Sequence, residues 1–156
     1  MPKQFQFKDD ARSQLMEGID LMARTVGITL GPNGRNVILE KEFGPPQVCS
    51  DGVTIAKEIE LPEPFLNMGA QLLKEAASKT NDDVGDGTTT STILAQAILK
   101  NGFKNIAAGA DPMALKRGID KVVDAMTKEL ISMSKTVTDD DQISQVAILS
   151  AHDEKM

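Results

Sequence analysis

The stretch Asn81-Asp82-Asp83-Val84-Gly85-Asp86-Gly87-Thr88-Thr89-Thr90 places three carboxylates, two glycines and three hydroxyls between two segments with helical patterning. Gly85 and Gly87 allow the backbone positive φ and a close approach to a ligand. Thr88, Thr89 and Thr90 then open a helix, so their amides and hydroxyls face outward at its positive end. A helix start of this kind accepts an anion, and phosphate is the usual one. Asp86 would repel a phosphate unless a cation stood between them. Asp, Thr and phosphate oxygens form a hard donor set that suits Mg²⁺. A magnesium nucleotide is therefore the first expectation. The plainer alternative is a decorated helix cap, yet consecutive threonines are poor helix formers and exceed what a cap requires. No Lys follows the glycines as in a Walker A loop, so the phosphate charge would be met by metal and amides.

A second loop, Thr29-Leu30-Gly31-Pro32-Asn33-Gly34, also follows a helical segment and also combines threonine with glycine. Taken alone it reads as an ordinary helix stop. A fold that brought the two loops together would surround phosphates with N–H groups from two sides. Asp51 precedes Gly52 between a strand pattern and a helix, where it could orient a water or a metal; an Asp in a tight turn is the alternative. Cys49 has no basic neighbour in sequence and reads as a buried, inert thiol. His152 is the only histidine, which disfavours a histidine triad or metal cluster. The Asp139-Asp140-Asp141 run lacks the spaced ligands of a calcium loop and reads as charge at a helix start.

The elements that must position these residues are mostly helical. Gln4 to Phe7 alternates as a short strand. Asp9 or Asp10 would cap a helix with apolar residues at Ala11, Leu15, Ile19, Met22 and Val26. Asn36–Glu40 and Val48–Ser50 read as a β-ribbon joined through Phe43-Gly44-Pro45-Pro46. A short helix follows Asp51-Gly52 and ends before Pro62. Met68, Leu72, Leu73, Ala76 and Ala77 mark a helix from Pro64 to about Asn81, and Ile93, Leu94, Ala97 and Ile98 mark another from Thr89 to Asn101. Asp111-Pro112 is a strong helix start. Its helix carries the cleanest stripe, through Leu115, Ile119, Val122, Val123, Met126, Leu130 and Met133. Thr138 to Asp141 resembles a capping box with Asp in place of Glu, opening a last helix. An isolated ribbon is marginal in water and invites pairing with another chain, so oligomerisation is expected.

Bulk properties narrow the function classes. The 156 residues suffice for one domain with a core. The core must be aliphatic, because Trp and Tyr are absent. A net charge of −6 argues against nucleic-acid binding and against attachment to anionic membranes. One cysteine allows no internal disulfide. With no apolar run of membrane-spanning length and no apolar leader in Met1–Phe7, a cytoplasmic chain is expected.

At these residues the chain resembles the group I chaperonins of the GroEL type. The resemblance is carried by Thr29-Leu30-Gly31-Pro32 with Gly34-Arg35-Asn36-Val37, by Asp51-Gly52-Val53-Thr54, and by Asn67-Met68-Gly69-Ala70-Gln71. Gly85-Asp86-Gly87-Thr88-Thr89-Thr90 and Leu115-Lys116-Arg117-Gly118-Ile119-Asp120 complete it, in order from about residue 4 to 151. It implies a mainly α fold: an equatorial-domain-like helical bundle with a small β-ribbon and an N-terminal edge strand. Residues 1–135 would form the N-terminal part of the equatorial, ATP-binding domain. Residues 136–156 would begin the intermediate domain, and the apical domain and C-terminal equatorial segment would be absent.

The function implied is that of an ATP-dependent protein-folding chaperonin subunit, an ATPase that uses Mg²⁺ and K⁺ and acts on enclosed unfolded proteins. Its implied partners are unfolded clients, a co-chaperonin bound through segments absent here, and copies of itself in a homo-oligomeric double ring. Thr29, Leu30, Gly31 and Pro32 would line the nucleotide, Pro32 towards the base. Asp86 would hold Mg²⁺, and Gly87, Thr88, Thr89 and Thr90 would contact the phosphates. Asp51 would assist hydrolysis beside the γ-phosphate, with Leu149 and Ser150 near the pocket. Thr29, Ser50 and Thr89 are the implied K⁺ ligands, and the Asn36–Ser50 ribbon would pair with a neighbouring subunit. Ser50 stands where the family usually has Lys. If that position acts through its carbonyl the exchange is mild; if through its charge, nucleotide affinity falls. The alternative function is a truncated, non-enzymatic assembly scaffold with at most weak nucleotide binding.

Overall fold

The computed structural model describes residues 3–41 and 43–151; Met1, Pro2, Glu42, His152 and residues 153–156 lie outside them. The described chain forms two compact units, Met1–Gly109 and Ala110–Met156.

The first unit contains α1 (Lys8–Gly27), β1 (Val37–Leu39), β2 (Gln47–Cys49), α2 (Gly52–Glu58), α3 (Pro64–Val84) and α4 (Thr88–Ala107). The spacing expected for α1 is realised, because Ile19, Met22 and Val26 are fully buried, with Ile55 of α2 and Leu73 and Ala77 of α3 beside them in the core. Helix α1 meets α3 at an unusually close crossing. A Cβ on Gly18 would lie 1.9 Å from the carbonyl oxygen of Leu66, and one on Gly69 would lie 2.1 Å from that of Leu15. Glycine at both positions lets the backbones touch.

Helices α3 and α4 are joined by Gly85–Gly87 and pack against each other. So short a link makes them antiparallel neighbours. Helix α4 also packs on α1, and the register between those two runs oppositely. Gly27 meets Ile93, with its notional Cβ 3.4 Å from Ile93 Cδ1, whereas Asp20 meets Gln96 and Lys100 further along α4. The exit of α1 and the entry of α4 therefore share one end of the bundle.

The ribbon is a two-stranded antiparallel sheet with Val37 opposite Cys49, Ile38 opposite Val48 and Leu39 opposite Gln47. Leu39 and Cys49 face the core, while the cross-strand pair Ile38 and Val48 is 71% and 61% exposed, as the two-residue period of a strand requires.

Two expectations need correction. Residues 4–7 form no strand among the described residues; Phe7 is extended (φ −134°, ψ 158°), and Phe5 and Phe7 are largely exposed. A strand is defined by a hydrogen-bonded neighbour, and this segment has none within the described chain. Asp9 and Asp10 do not cap α1: the helix begins at Lys8, and both lie in its first turn, where negative charge suits the positive helix end and Asp9 pairs with Arg12. The patterning that marks α3 and α4 is borne out as helix, and within it Met68, Leu72, Leu94 and Ile98 are exposed.

The second unit comprises α5 (Pro112–Met133) and α6 (Asp140–Ala151). The Asp111 carboxylate accepts from the N–H groups of Met113 (3.2 Å) and Ala114 (3.0 Å), and Pro112 opens the first turn, as expected. At α6 the capping box is shifted by one residue. Asp139 accepts from the Gln142 N–H at 2.7 Å, and the Gln142 side chain accepts from the Thr138 N–H at 3.3 Å. Neither helix contains a buried residue. No helix of the described chain is long and apolar enough to cross a membrane.

Candidate nucleotide site

The Thr29–Gly34 loop leaves α1 and folds back on itself. Thr29 Oγ1 donates to the Val26 carbonyl (2.8 Å), closing the last turn of α1. The Gly34 N–H donates to the Gly31 carbonyl and the Arg35 N–H to the Ile28 carbonyl, each at 2.9 Å. Gly31 takes φ +81°, the left-handed region open to glycine. Leu30, Gly31 and Pro32 are exposed at the tip. The loop is a helix stop, and it also presents its residues at the end where α4 begins.

At that entry, Gly85 (φ +80°) ends α3 and Gly87 (φ +76°) precedes α4. Gly87 caps α4 without a side-chain hydrogen bond, so the first-turn amides have no side-chain cap. Thr88 is buried, Thr89 half-buried and Thr90 exposed. Thr92, fully buried, donates its hydroxyl to the Thr88 carbonyl at 2.8 Å and steadies the first turn from below. Asp86 is exposed; one carboxylate oxygen accepts from the Gly87 N–H at 2.6 Å, and the other has no protein partner among the described residues.

Asp51 comes to this entry through Gly52. A Cβ on Gly52 would lie 2.3 Å from Thr89 Oγ1 and 3.0 Å from both Thr88 Oγ1 and the Thr89 nitrogen. The start of α2 is thus seated directly on the first turn of α4, an approach open only to glycine. Asp51 itself is exposed and caps α2, accepting on Oδ2 from the Thr54 N–H at 2.9 Å and from the Thr54 hydroxyl. Its carbonyl accepts from the Ile55 N–H (3.1 Å) and from the buried Cys49 thiol (3.7 Å). Cys49 is accordingly a packed thiol bonded to main chain. Ser50, exposed, connects β2 to Asp51.

Of the residues singled out in the sequence, Asp51 and the Gly87–Thr90 turn are therefore in adjacent backbone segments, and the Thr29–Pro32 loop leaves the bundle at the same end. Leu149 and Ser150 lie exposed on α6 in the second unit. His152 lies outside the described residues. Two contributors escaped the sequence reading: the contact of Gly52 with Thr89, and the hold of Thr54 on Asp51. The Asp-x-x-Thr spacing at a helix start was a legible signal for the second; nothing local marks the first.

No group of three or more His, Cys, Asp or Glu side chains converges as a metal cage among the described residues. A metal here would be held as Mg²⁺ commonly is, by one or two carboxylates completed by substrate phosphates. The free oxygen of Asp86 fits that donor set. The Thr89 hydroxyl lies against Gly52, two residues after Ser50.

The profile described as the TCP-1/cpn60 chaperonin family matches residues 22–154.

Proposed function

Since the chain belongs to the TCP-1/cpn60 chaperonin family, we propose that its first unit binds ATP where α1 ends and α4 begins, and that hydrolysis there serves the folding of unfolded client proteins. The observation that carries the proposal is the seating of Gly52 on Thr88 and Thr89. It seats the residue that follows Asp51 on a glycine-led helix start whose first-turn amides suit phosphate.

In this reading the Gly87–Thr90 amides and hydroxyls hold the phosphates, and the Thr29–Pro32 loop lines the nucleotide. Asp86 would hold Mg²⁺, which when bound offsets phosphate charge. Thr29, Ser50 and Thr89 would offer oxygens to K⁺. Asp51 orients the attacking water. The water oxygen bonds to the γ-phosphorus, the bond from that phosphorus to the β–γ bridging oxygen breaks, and its electron pair leaves with ADP. The water proton passes to Asp51 and on to solvent. Such catalysis rests mostly on positioning and charge.

Association follows from the ribbon. Ile38 and Val48 on the strands and Phe43 between them are exposed apolar residues of a ribbon with no further strand among the described residues, and a neighbouring subunit of a homo-oligomeric ring would cover them. A co-chaperonin and a cytoplasmic setting belong to the same reading.

Titration of ATP into the protein with and without Mg²⁺ tests the metal assignment. Magnesium is expected to tighten binding to the wild-type chain and to have no such effect on Asp86→Ala. Equal magnesium dependence in both proteins would remove Asp86 from the site.

A further inference from the structure

Asp51 is held more tightly than helix capping requires. A cap needs one bond from a side-chain oxygen to an N–H of the first turn, and Asp51 Oδ2 has it from Thr54 at 2.9 Å. The same oxygen also accepts from the Thr54 hydroxyl, while Oδ1 has no protein partner among the described residues. The Ile55 N–H and the Cys49 thiol both donate to the Asp51 carbonyl and fix it, and Gly52 fixes the backbone against α4. Rotation of the carboxylate about its last bond is opposed by Thr54, whose N–H and hydroxyl both engage Oδ2.

We propose that Thr54 is a positioning residue for hydrolysis: its hydroxyl pins Asp51 Oδ2 so that Oδ1 is presented to the water attacking the γ-phosphorus. This rests on the nucleotide reading above and adds to it the orientation of the carboxylate. The bonds made and broken are those already given. Thr54 transfers no proton and touches no substrate. Because the carboxylate matters to the water and little to the bound diphosphate, losing the hydroxyl should weaken binding of a hydrolysis mimic and spare ADP.

The test compares ADP with ADP plus aluminium fluoride, both with Mg²⁺, on the wild-type chain, Thr54→Val and Thr54→Ser. The expected result is ADP affinity alike in all three, and tighter binding with fluoride in wild type and Thr54→Ser. Thr54→Val should lose at least about tenfold of that gain, in line with the cost of misplacing a reacting group. A full fluoride gain in Thr54→Val would overturn the proposal. So would equal losses for ADP and the mimic, the mark of a residue that only caps α2. Thr54→Ala repeats the comparison should the valine variant fail to fold. If wild type binds ADP without any gain from fluoride, the Thr54 role falls while nucleotide binding stands; if wild type binds no ADP, the nucleotide reading itself fails.

Discussion

The two units differ in how their elements are held. In the first, glycines allow close approaches: Gly18 to the Leu66 backbone, Gly69 to the Leu15 backbone, and Gly52 to the hydroxyl and nitrogen of Thr89. In the second, α5 has a well-made start at Asp111-Pro112 and a continuous apolar stripe, yet no buried residue. Val122, Met126, Leu130 and Met133 are each more than half exposed. Strong local signals thus place a helix without supplying what covers it, whereas a site requires close approaches that local patterning does not announce.

Substitutions can break this contrast, and the largest effect is expected at the α1–α3 crossing and the core beneath it. Leu73→Ala should cost about 3 kcal/mol, because a fully buried leucine leaves a cavity. Gly69→Ala should cost about 1–3 kcal/mol, since its methyl must displace the Leu15 carbonyl. Denaturant titration of each variant checks both; a wild-type midpoint for Gly69→Ala would show that the crossing is loose. In the second unit the cap should matter more than the stripe. Asp111→Ala is expected to remove about 1 kcal/mol from α5, read as lost helicity by circular dichroism.

Smaller still is the ion pair that ties α1 to α4. The Asp20 carboxyl is held below its usual range, chiefly by the Gln96 hydrogen bond at 2.5 Å and then by Lys100 at 3.1 Å. A depressed carboxyl stabilises the fold above its unfolded-state value of about 4, and that contribution is lost as pH falls through the lower folded value. Asp20→Asn should therefore cost about 0.5–1 kcal/mol near neutrality, with the difference from wild type shrinking below about pH 4. Leu130→Ala should do least, under about 0.5 kcal/mol, because its side chain is 61% exposed. A loss comparable to that of Leu73→Ala would mean that the stripe of α5 is covered in solution.

Much of the helical frame was legible in the residues. The break at Thr29–Gly34, the ribbon, the Asp111-Pro112 start and the Gly85–Thr90 entry all stand where patterning places them, within a few residues. That residues 4–7 form no strand was not legible, because alternation shows what a strand would bury and not whether a partner exists. The exposed Met68 and Leu94 show the same limit for helices. At the site, composition marked Asp86 and the threonines. The role of Gly52 was hidden, since a glycine needed for contact with a residue far along the chain looks like any glycine after an aspartate. Gly69 is similar: its neighbour Leu15 is remote in sequence, and only the packed helices show why a side chain is excluded.

The central claim is that the Asp51-Gly52 turn and the α4 entry form one nucleotide site because Gly52 lets them touch. Calorimetric titration of Mg-ATP into the wild-type chain and Gly52→Ala tests it most directly. Saturable heat is expected from wild type, with affinity falling at least about tenfold in Gly52→Ala as the added methyl forces Thr89 away. No saturable heat from wild type, or the same affinity in both proteins, would contradict it.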